Sequence, residues 1–216
     1  MHYCEQLSTQ GAFEPLNAVT NLAFLLAAAW GWRALRAVPR RLPAGPRTLP
    51  LLAAAIALGS FAWHATGARW AELADVLPIA GFVLVFLASA LRGVVGVGAA
   101  VSLGACCALL AACVAAAIVA GDNLNGSAAY LPVLAGLCGL GLACRNRDRA
   151  AARGFALAAV LFTVSLAFRT MDLGTCALTG VGTHWLWHLL NALLLARLMT
   201  LLARHHRDAR RPGQGD

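Results

Sequence analysis

Two histidines, His184 and His188, stand four residues apart in the segment GTHWLWH, directly before an apolar stretch that continues to Leu202. In a helix, residues i and i+4 point to the same side, so both imidazoles would face one ligand. A third histidine, His64, stands near the end of another apolar stretch. Three imidazoles and one water complete a tetrahedral catalytic zinc site, where the metal polarises a carbonyl and lowers the pKa of water. The residue types and the spacing therefore predict a zinc site held by these three histidines.

A hydroxyl and a carboxylate accompany His64. Ser60 lies one helical turn before His64, and Asp75 lies eleven residues after it. A carboxylate near an activated water can take its proton and return it later, so Asp75 is predicted to be the proton shuttle. The Ser60 hydroxyl could bond an oxyanion or orient a ligand. For Asp75, an ion pair with Arg69 or Arg169, or a cap on its own helix, stays open as a structural explanation.

Further polar residues stand at the starts of apolar stretches. Glu14, Asn17 and Asn21 follow an i, i+3, i+7 pattern, and Asn191 lies three residues after His188, on the same side of a helix. Hydrogen bonds between helices would account for the asparagines and for Ser60 equally well. A packed histidine or an incidental pair would account for any of the histidines taken alone. Only the joint pattern favours a metal site.

The elements that must position these residues are transmembrane helices. The chain has 216 residues, of which 60% are hydrophobic and 12% are charged, whereas soluble domains average about 45–50% and about 25%. Seven apolar stretches approach the length of about 20 residues that crosses a bilayer. The prediction is an all-α integral membrane protein, a seven-transmembrane helical bundle, with one domain over residues 1–204 and a basic cytosolic tail over 205–216. The predicted spans are Asn17–Trp32, Leu49–Thr66, Ala74–Leu91, Val97–Ala120, Ala128–Cys144, Ala151–Phe168 and Thr183–Leu202.

The basic residues report the orientation of this bundle. All 17 are arginines: fifteen of them follow an odd-numbered span or lie in the last helix and tail, whereas only Arg69 and Arg169 fall on the other side. The positive-inside rule then predicts an N-terminus outside and a C-terminus in the cytosol. The net charge of +8 is thereby explained by topology, and nucleic-acid binding is the weaker interpretation. Odd spans begin and even spans end on the outer face, so the polar residues above converge there.

The cysteines divide into two groups. Five of the seven lie within or at the ends of apolar spans, where cysteine behaves as a small hydrophobic residue. Cys4 and Cys176 both fall on the outer, oxidising face. We therefore predict one disulfide that ties the N-terminal segment to the loop before the last span.

Three segments resemble one family, the alkaline ceramidases. GSFAWHATGARWAELAD (Gly59–Asp75) resembles the family's Ser-x3-His-x10-Asp signature, and GTHWLWHLLNA (Gly182–Ala192) resembles its His-x3-His in the last helix. YCEQLSTQGAFEPLNAVTNLAF (Tyr3–Phe24) resembles its N-terminal segment. The order and spacing of the motifs agree over nearly the whole chain. The wider superfamily consists of seven-helix membrane zinc hydrolases and includes adiponectin-receptor-like and GPI-lipid-remodelling proteins.

The resemblance implies a zinc-dependent amidase that cleaves ceramide, or a related N-acyl lipid entering from the bilayer, to a sphingoid base and a fatty acid. It implies zinc ligation by His64, His184 and His188, and a catalytic role for Asp75 and Ser60. The family's disulfide agrees with the Cys4–Cys176 pairing. Membrane lipids are the expected surroundings, and no nucleic acid or protein partner is implied. The lysine-free, alanine- and arginine-rich composition favours a bacterial inner membrane, with the active site toward the periplasm.

The eukaryotic members of the family also hold calcium, through an acidic N-terminal segment that corresponds here to Tyr3, Glu5 and Glu14. This chain has His2 where those enzymes have an aspartate, and a shorter segment between the two glutamates. Calcium takes about 6–8 oxygen ligands, and two carboxylates are a small contribution to that number. Calcium binding is thus left open by the residues.

Two other functions fit the same polar residues. A lipid ester hydrolase of the same superfamily would use the same zinc chemistry with a different pocket for the lipid. A seven-helix receptor or transporter would use the polar residues as an ion or proton site. Transporters are typically built from internal repeats with broken helices near the midplane. No repeat is evident here, and the polar groups lie toward one face, which favours the hydrolases.

Overall fold

The computed structural model describes residues 3–9, 13–38 and 42–208. Within these ranges every regular element is helical. The α-helices are α1 (Cys4–Thr9), α2 (Pro15–Thr20), α3 (Leu22–Arg36), α4 (Ala44–Thr66), α5 (Arg69–Ala90), α6 (Ala99–Ala120), α7 (Leu131–Cys144), α8 (Arg149–Met171), α9 (Cys176–Thr179) and α10 (His184–Asp208), with a π-helical turn (Leu91–Val95) after α5 and a 3₁₀ segment (Asn123–Tyr130) before α7.

Seven stretches of these helices are long and apolar enough to cross a bilayer, which confirms the all-helical, seven-span prediction. They are Pro15–Arg36, Ala44–Thr66, Arg69–Val95, Ala99–Ala120, Asn123–Cys144, Arg149–Met171 and His184–Arg207. Most extend further than hydropathy predicts, because helical hydrogen bonding continues past the apolar residues into positions that an aqueous interface tolerates. The first span is divided at Asn21, where α2 ends and α3 begins.

The helices pack closely around α10 and α4. α10 contacts α3 and α8, and α4 contacts α5 and α3 most extensively. Lipid tails are as apolar as leucine, so helices in a bilayer associate through tight packing at small residues. Gly59 illustrates this, because a Cβ atom there would collide with the backbone carbonyl of Ala74 on α5. By contrast, only Ser102 is buried in α6, as expected of an apolar helix that faces lipid.

The N-terminal segment folds over the end of the bundle at which odd-numbered spans begin, which we call the site end. Cys4 and Cys176 form the predicted disulfide, with Cα atoms 5.4 Å apart. The backbone N–H of Cys4 also donates to Asp172 Oδ2 at 2.8 Å. α1 is therefore fixed to the end of α8 and to the loop before α10.

At the opposite end, two boundaries differ from the prediction. The second span was predicted to begin at Leu49, but α4 begins at Ala44, so Arg47 is helical. The tail was expected to begin at residue 205, but α10 continues to Asp208. His205 stabilises this extension, since its Nδ1 lies 3.1 Å from Asp148 Oδ2 and its Nε2 lies 3.1 Å from the Gly93 carbonyl oxygen. The rest of the predicted tail, 209–216, lies outside the described residues, as does His2.

Candidate metal centre

Three histidines meet at the site end. His64 comes from the last turn of α4, and His184 and His188 come from the first two turns of α10. All three are buried, and one ligand nitrogen of each lies within 4.8 Å of the others. The ring centroids are 4.7–5.2 Å apart. The structure therefore brings the predicted ligands together as a group that could hold a metal ion.

The His64 imidazole is oriented by Glu14. Its Nδ1 lies 2.9 Å from Glu14 Oε2, and a carboxylate can only accept, so Nδ1 carries the proton. Asn17 Nδ2 donates to the same oxygen at 2.7 Å. The backbone supports the pair, because the Glu14 N–H donates to the His64 carbonyl at 2.8 Å. The Nε2 lone pair of His64 is thus left for a metal, an arrangement typical of metal-ligating histidines.

The His188 imidazole is oriented by Thr20. Its Nδ1 lies 2.9 Å from Thr20 Oγ1. The Thr20 hydroxyl proton is already directed to the carbonyl oxygens of Leu16 and Asn17, at 2.9 and 3.0 Å. Thr20 Oγ1 therefore accepts from His188 Nδ1, and Nε2 of His188 is left as the ligand atom. Sequence reasoning missed Thr20, although it lies on α2 three residues after Asn17 and so on the same side of the helix.

His184 is held differently. Its backbone N–H and that of Thr183 donate to Asp172 Oδ1, at 2.8 and 2.7 Å, so Asp172 caps the first turn of α10. Its ring stacks on Tyr3 with a centroid distance of 3.8 Å. His184 Nδ1 is buried and has no hydrogen-bond partner among the described residues. A buried nitrogen without a protein partner fits a site that receives a ligand, because such groups are otherwise satisfied.

Asp172 is the functional residue that sequence reasoning missed most clearly. It is fully buried and joins the N-terminal segment, the end of α8 and the start of α10 through three backbone N–H groups. The available signal was a carboxylate just after an apolar span and four residues before Cys176. A charged residue so close to the membrane needs partners that compensate its charge.

Ser60 on α4 and Asp75 on α5 lie next to each other. The Ser60 hydroxyl is close enough to the Asp75 carboxylate to interact with it, and the neighbouring residue Gly59 packs against the backbone of Ala74. Asp75 Oδ1 is shielded from solvent and has no hydrogen-bond partner among the described residues. The helix α5 begins at Arg69 with Ala68 as its cap, so the alternative in which Asp75 caps that helix is wrong. A catalytic role for the pair stays a prediction.

The residues proposed for calcium have protein partners in the structure. The two Glu5 oxygens accept from the backbone N–H groups of Leu16 and Asn17, at 2.7 and 2.8 Å. Glu5 thus caps α2, while Glu14 orients His64. The Tyr3 hydroxyl accepts from Arg169 Nη1 at 3.0 Å. These bonds account for the burial of both carboxylates without an ion, and calcium binding stays a prediction.

Of the hydrogen bonds that the three asparagines donate, one from Asn191 joins two helices, whereas those of Asn17 and Asn21 are local. Asn21 Nδ2 donates to the Asn17 carbonyl at 2.8 Å. Asn191 Nδ2 donates to Ser165 Oγ at 3.0 Å and so ties α10 to α8. Asn17 contributes to the site indirectly, through Glu14.

An apolar cavity lies between the helices, and its lining includes Phe24, Trp187 and Asn191, which are near the histidines in space or in the chain. Phe24 lines it and makes an edge contact with His188 at a centroid distance of 6.2 Å. Among its lining residues only Tyr130, Trp187 and Asn191 have polar side-chain atoms. The apolar lining of the cavity suits a hydrocarbon chain.

Comparison of the chain with family models and with curated proteins finds no match.

Proposed function

We propose that this protein is a zinc-dependent membrane amidase that hydrolyses the N-acyl amide of ceramide or a related lipid. The observation that carries the proposal is the convergence of His64, His184 and His188, next to an apolar cavity whose lining residue Phe24 contacts His188. Neutral imidazoles with outer hydrogen bonds are the ligands zinc prefers in catalytic sites. An apolar cavity next to such a group suits a lipid with a polar reacting bond.

Zinc held by the three histidines would supply a Lewis acid for the scissile carbonyl and lower the pKa of the attacking water. Asp75 would take the proton from that water and return it to the leaving amine. Ser60 would orient the Asp75 carboxylate through the contact between them. The fatty-acyl chain would occupy the cavity, whose apolar wall excludes water from the reacting bond.

Hydrolysis assays with purified protein test this proposal. Ceramide, other N-acyl lipids and acylglycerol esters are incubated with the protein, with and without a zinc chelator. The expected result is release of fatty acid from an amide, loss of activity with chelator, and recovery on adding zinc. His188→Ala should be inactive and zinc-free, while the matched control His206→Ala should resemble wild type.

Two other outcomes would select the alternatives. Cleavage of esters without amides would favour a lipid ester hydrolase of the same superfamily. One zinc per chain without hydrolysis of any lipid would favour a receptor or transporter. Elemental analysis of these preparations measures zinc and calcium together. One calcium per chain that is lost in Glu5→Gln would support the calcium prediction.

The proposal includes an orientation. The arginine distribution supports an N-terminus outside, a cytosolic C-terminus and a site that faces the periplasm across a bacterial inner membrane. Reporter fusions at Gly126 and at Gly213, which lies outside the described residues, should give opposite readouts. Identical readouts would overturn the orientation.

A further inference from the structure

Arg169 is a cation enclosed by aromatic rings inside the sixth span. It is only 3% exposed. Its Cζ lies 5.7, 5.4 and 5.3 Å from the ring centroids of Tyr3, Tyr130 and Trp187, and its Nη1 donates to the Tyr3 hydroxyl at 3.0 Å. A charge at membrane depth is costly and is usually retained for function. The rings and the phenol oxygen offset that cost, yet the mechanism above does not use Arg169.

Tyr3 connects this cation to the metal centre. The Tyr3 ring, in the N-terminal segment, stacks on the His184 ring, with 3.8 Å between the ring centroids and 27° between the ring planes. The same ring lies 5.3 Å from the His64 ring.

His184 differs from the other two histidines in what orients its ring. Glu14 and Thr20 accept from Nδ1 of His64 and His188, whereas no described residue makes a hydrogen bond to the His184 ring, whichever of its nitrogens is the ligand atom. Asp172 fixes the His184 backbone only. The orientation of the His184 imidazole therefore depends on packing, and the stacked Tyr3 ring is the contact that supplies it.

We propose that Arg169 and Tyr3 form a positioning pair for the metal centre: Arg169 anchors the Tyr3 hydroxyl, and the anchored Tyr3 ring holds the His184 imidazole in its ligating orientation. The inference rests on the metal site of the proposed function and adds to it a role for two residues. Arg169 acts through Tyr3, so neither residue needs to touch the substrate.

Zinc affinity of the full-length protein, measured by competition with a chelator, tests the pair. Tyr3→Leu removes the stacking ring and should lower the affinity about 10–100-fold, as loss of outer-shell partners does. Arg169→Met should lower it as well. In the Tyr3→Leu background, Arg169→Met should add no further loss, because the arginine acts through the ring. Arg153→Met, an exposed arginine on the same helix, is the matched control and should bind as wild type.

Two further measurements separate positioning from stability. Cobalt in place of zinc should show an altered ligand-field spectrum in Tyr3→Leu, which a merely structural role would not change. Tyr3→Phe keeps the ring and removes only the hydroxyl, so it tests the anchor should Arg169→Met fail to fold, and it should also weaken zinc binding.

Wild-type zinc affinity and cobalt spectrum in Tyr3→Leu and Tyr3→Phe, with only a lower melting temperature of the apoprotein, would overturn the inference. Additive losses from Arg169→Met and Tyr3→Leu would overturn it too. Absence of stoichiometric zinc from the wild-type protein would instead overturn the proposed function.

Discussion

Glu14 and His64 are joined twice, although fifty residues separate them. The Glu14 backbone N–H donates to the His64 carbonyl at 2.8 Å, and His64 Nδ1 donates to Glu14 Oε2 at 2.9 Å. The first bond satisfies a carbonyl at the end of α4, and the second fixes the tautomer of the imidazole. The start of the first span is thereby locked to the end of the second, with the ligand nitrogen of His64 turned toward the other histidines.

Removal of the Glu14 carboxylate should weaken metal binding. In Glu14→Ala, the Nδ1 proton of His64 and the Asn17 amide lose their shared acceptor, so the zinc affinity should fall about 10–100-fold. Chelator competition measures this directly. The exposed carboxylate of Glu72 provides the control, and Glu72→Gln should keep the wild-type value. Equal affinity in both variants would show that Glu14 does not support His64.

Asp75→Asn should abolish the proton acceptor while preserving the shape of the side chain. Because general acid–base groups contribute about 10²–10⁴-fold to rate, turnover should fall by that order with zinc content unchanged. Turnover, zinc content and melting temperature are measured on one preparation. If Asp75 is only a structural partner of an arginine, the variant is less stable but its folded fraction stays fully active.

Gly59→Ala should disturb the site through helix packing. A methyl group there would collide with the Ala74 carbonyl and push α4 from α5, so melting temperature and activity should both fall. Gly139→Ala in α7 is the control, because a Cβ there meets open space and alanine favours helix by about 1 kcal/mol. A Gly59→Ala protein as stable as Gly139→Ala would contradict the close approach.

Loss of the Cys4–Cys176 disulfide should loosen the N-terminal segment. Disulfides typically contribute about 2–4 kcal/mol, so Cys4→Ser/Cys176→Ser should melt at a lower temperature and hold zinc less tightly, because Tyr3 is next to Cys4. Cys107→Ser, which removes an exposed thiol, should match wild type. Intact-mass analysis after alkylation should count five modified cysteines without reductant and seven with it, and seven in both conditions would refute the bond.

Asp148 should make the opposite end of the bundle sensitive to acid. The backbone N–H of Ala151 and then His205 lower the pKa of this carboxyl below its ordinary value. A lowered pKa in the folded state stabilises the protein above the ordinary pKa, and the stabilisation is lost as pH falls through the lowered value. Asp148→Asn should therefore melt below wild type at neutral pH. The difference should vanish in acid, and a constant difference at all pH values would argue against the charge.

Much of the fold follows from local properties of the sequence. Apolar stretches near 20 residues long identify seven helices, because a bilayer requires the backbone to satisfy its own hydrogen bonds. Their alternation also brings His64 and His184 to one end, and Cys4 to the same end as Cys176. None of these conclusions needs the lateral arrangement of the helices.

The support of the metal centre depends on that lateral arrangement. Thr20 and His188 are 168 residues apart in the chain, and whether their atoms meet is decided by how α2 packs against α10. In the sequence, Asp172 is a single charged residue in a predicted loop. Arg169 is one of the two arginines that the predicted topology places on the outer side. Only the tertiary structure shows that Asp172 caps α10 and that Arg169 is enclosed by aromatic rings. Hydropathy measures the free energy of transferring a residue from water, and it carries no information about which neighbour compensates a buried charge.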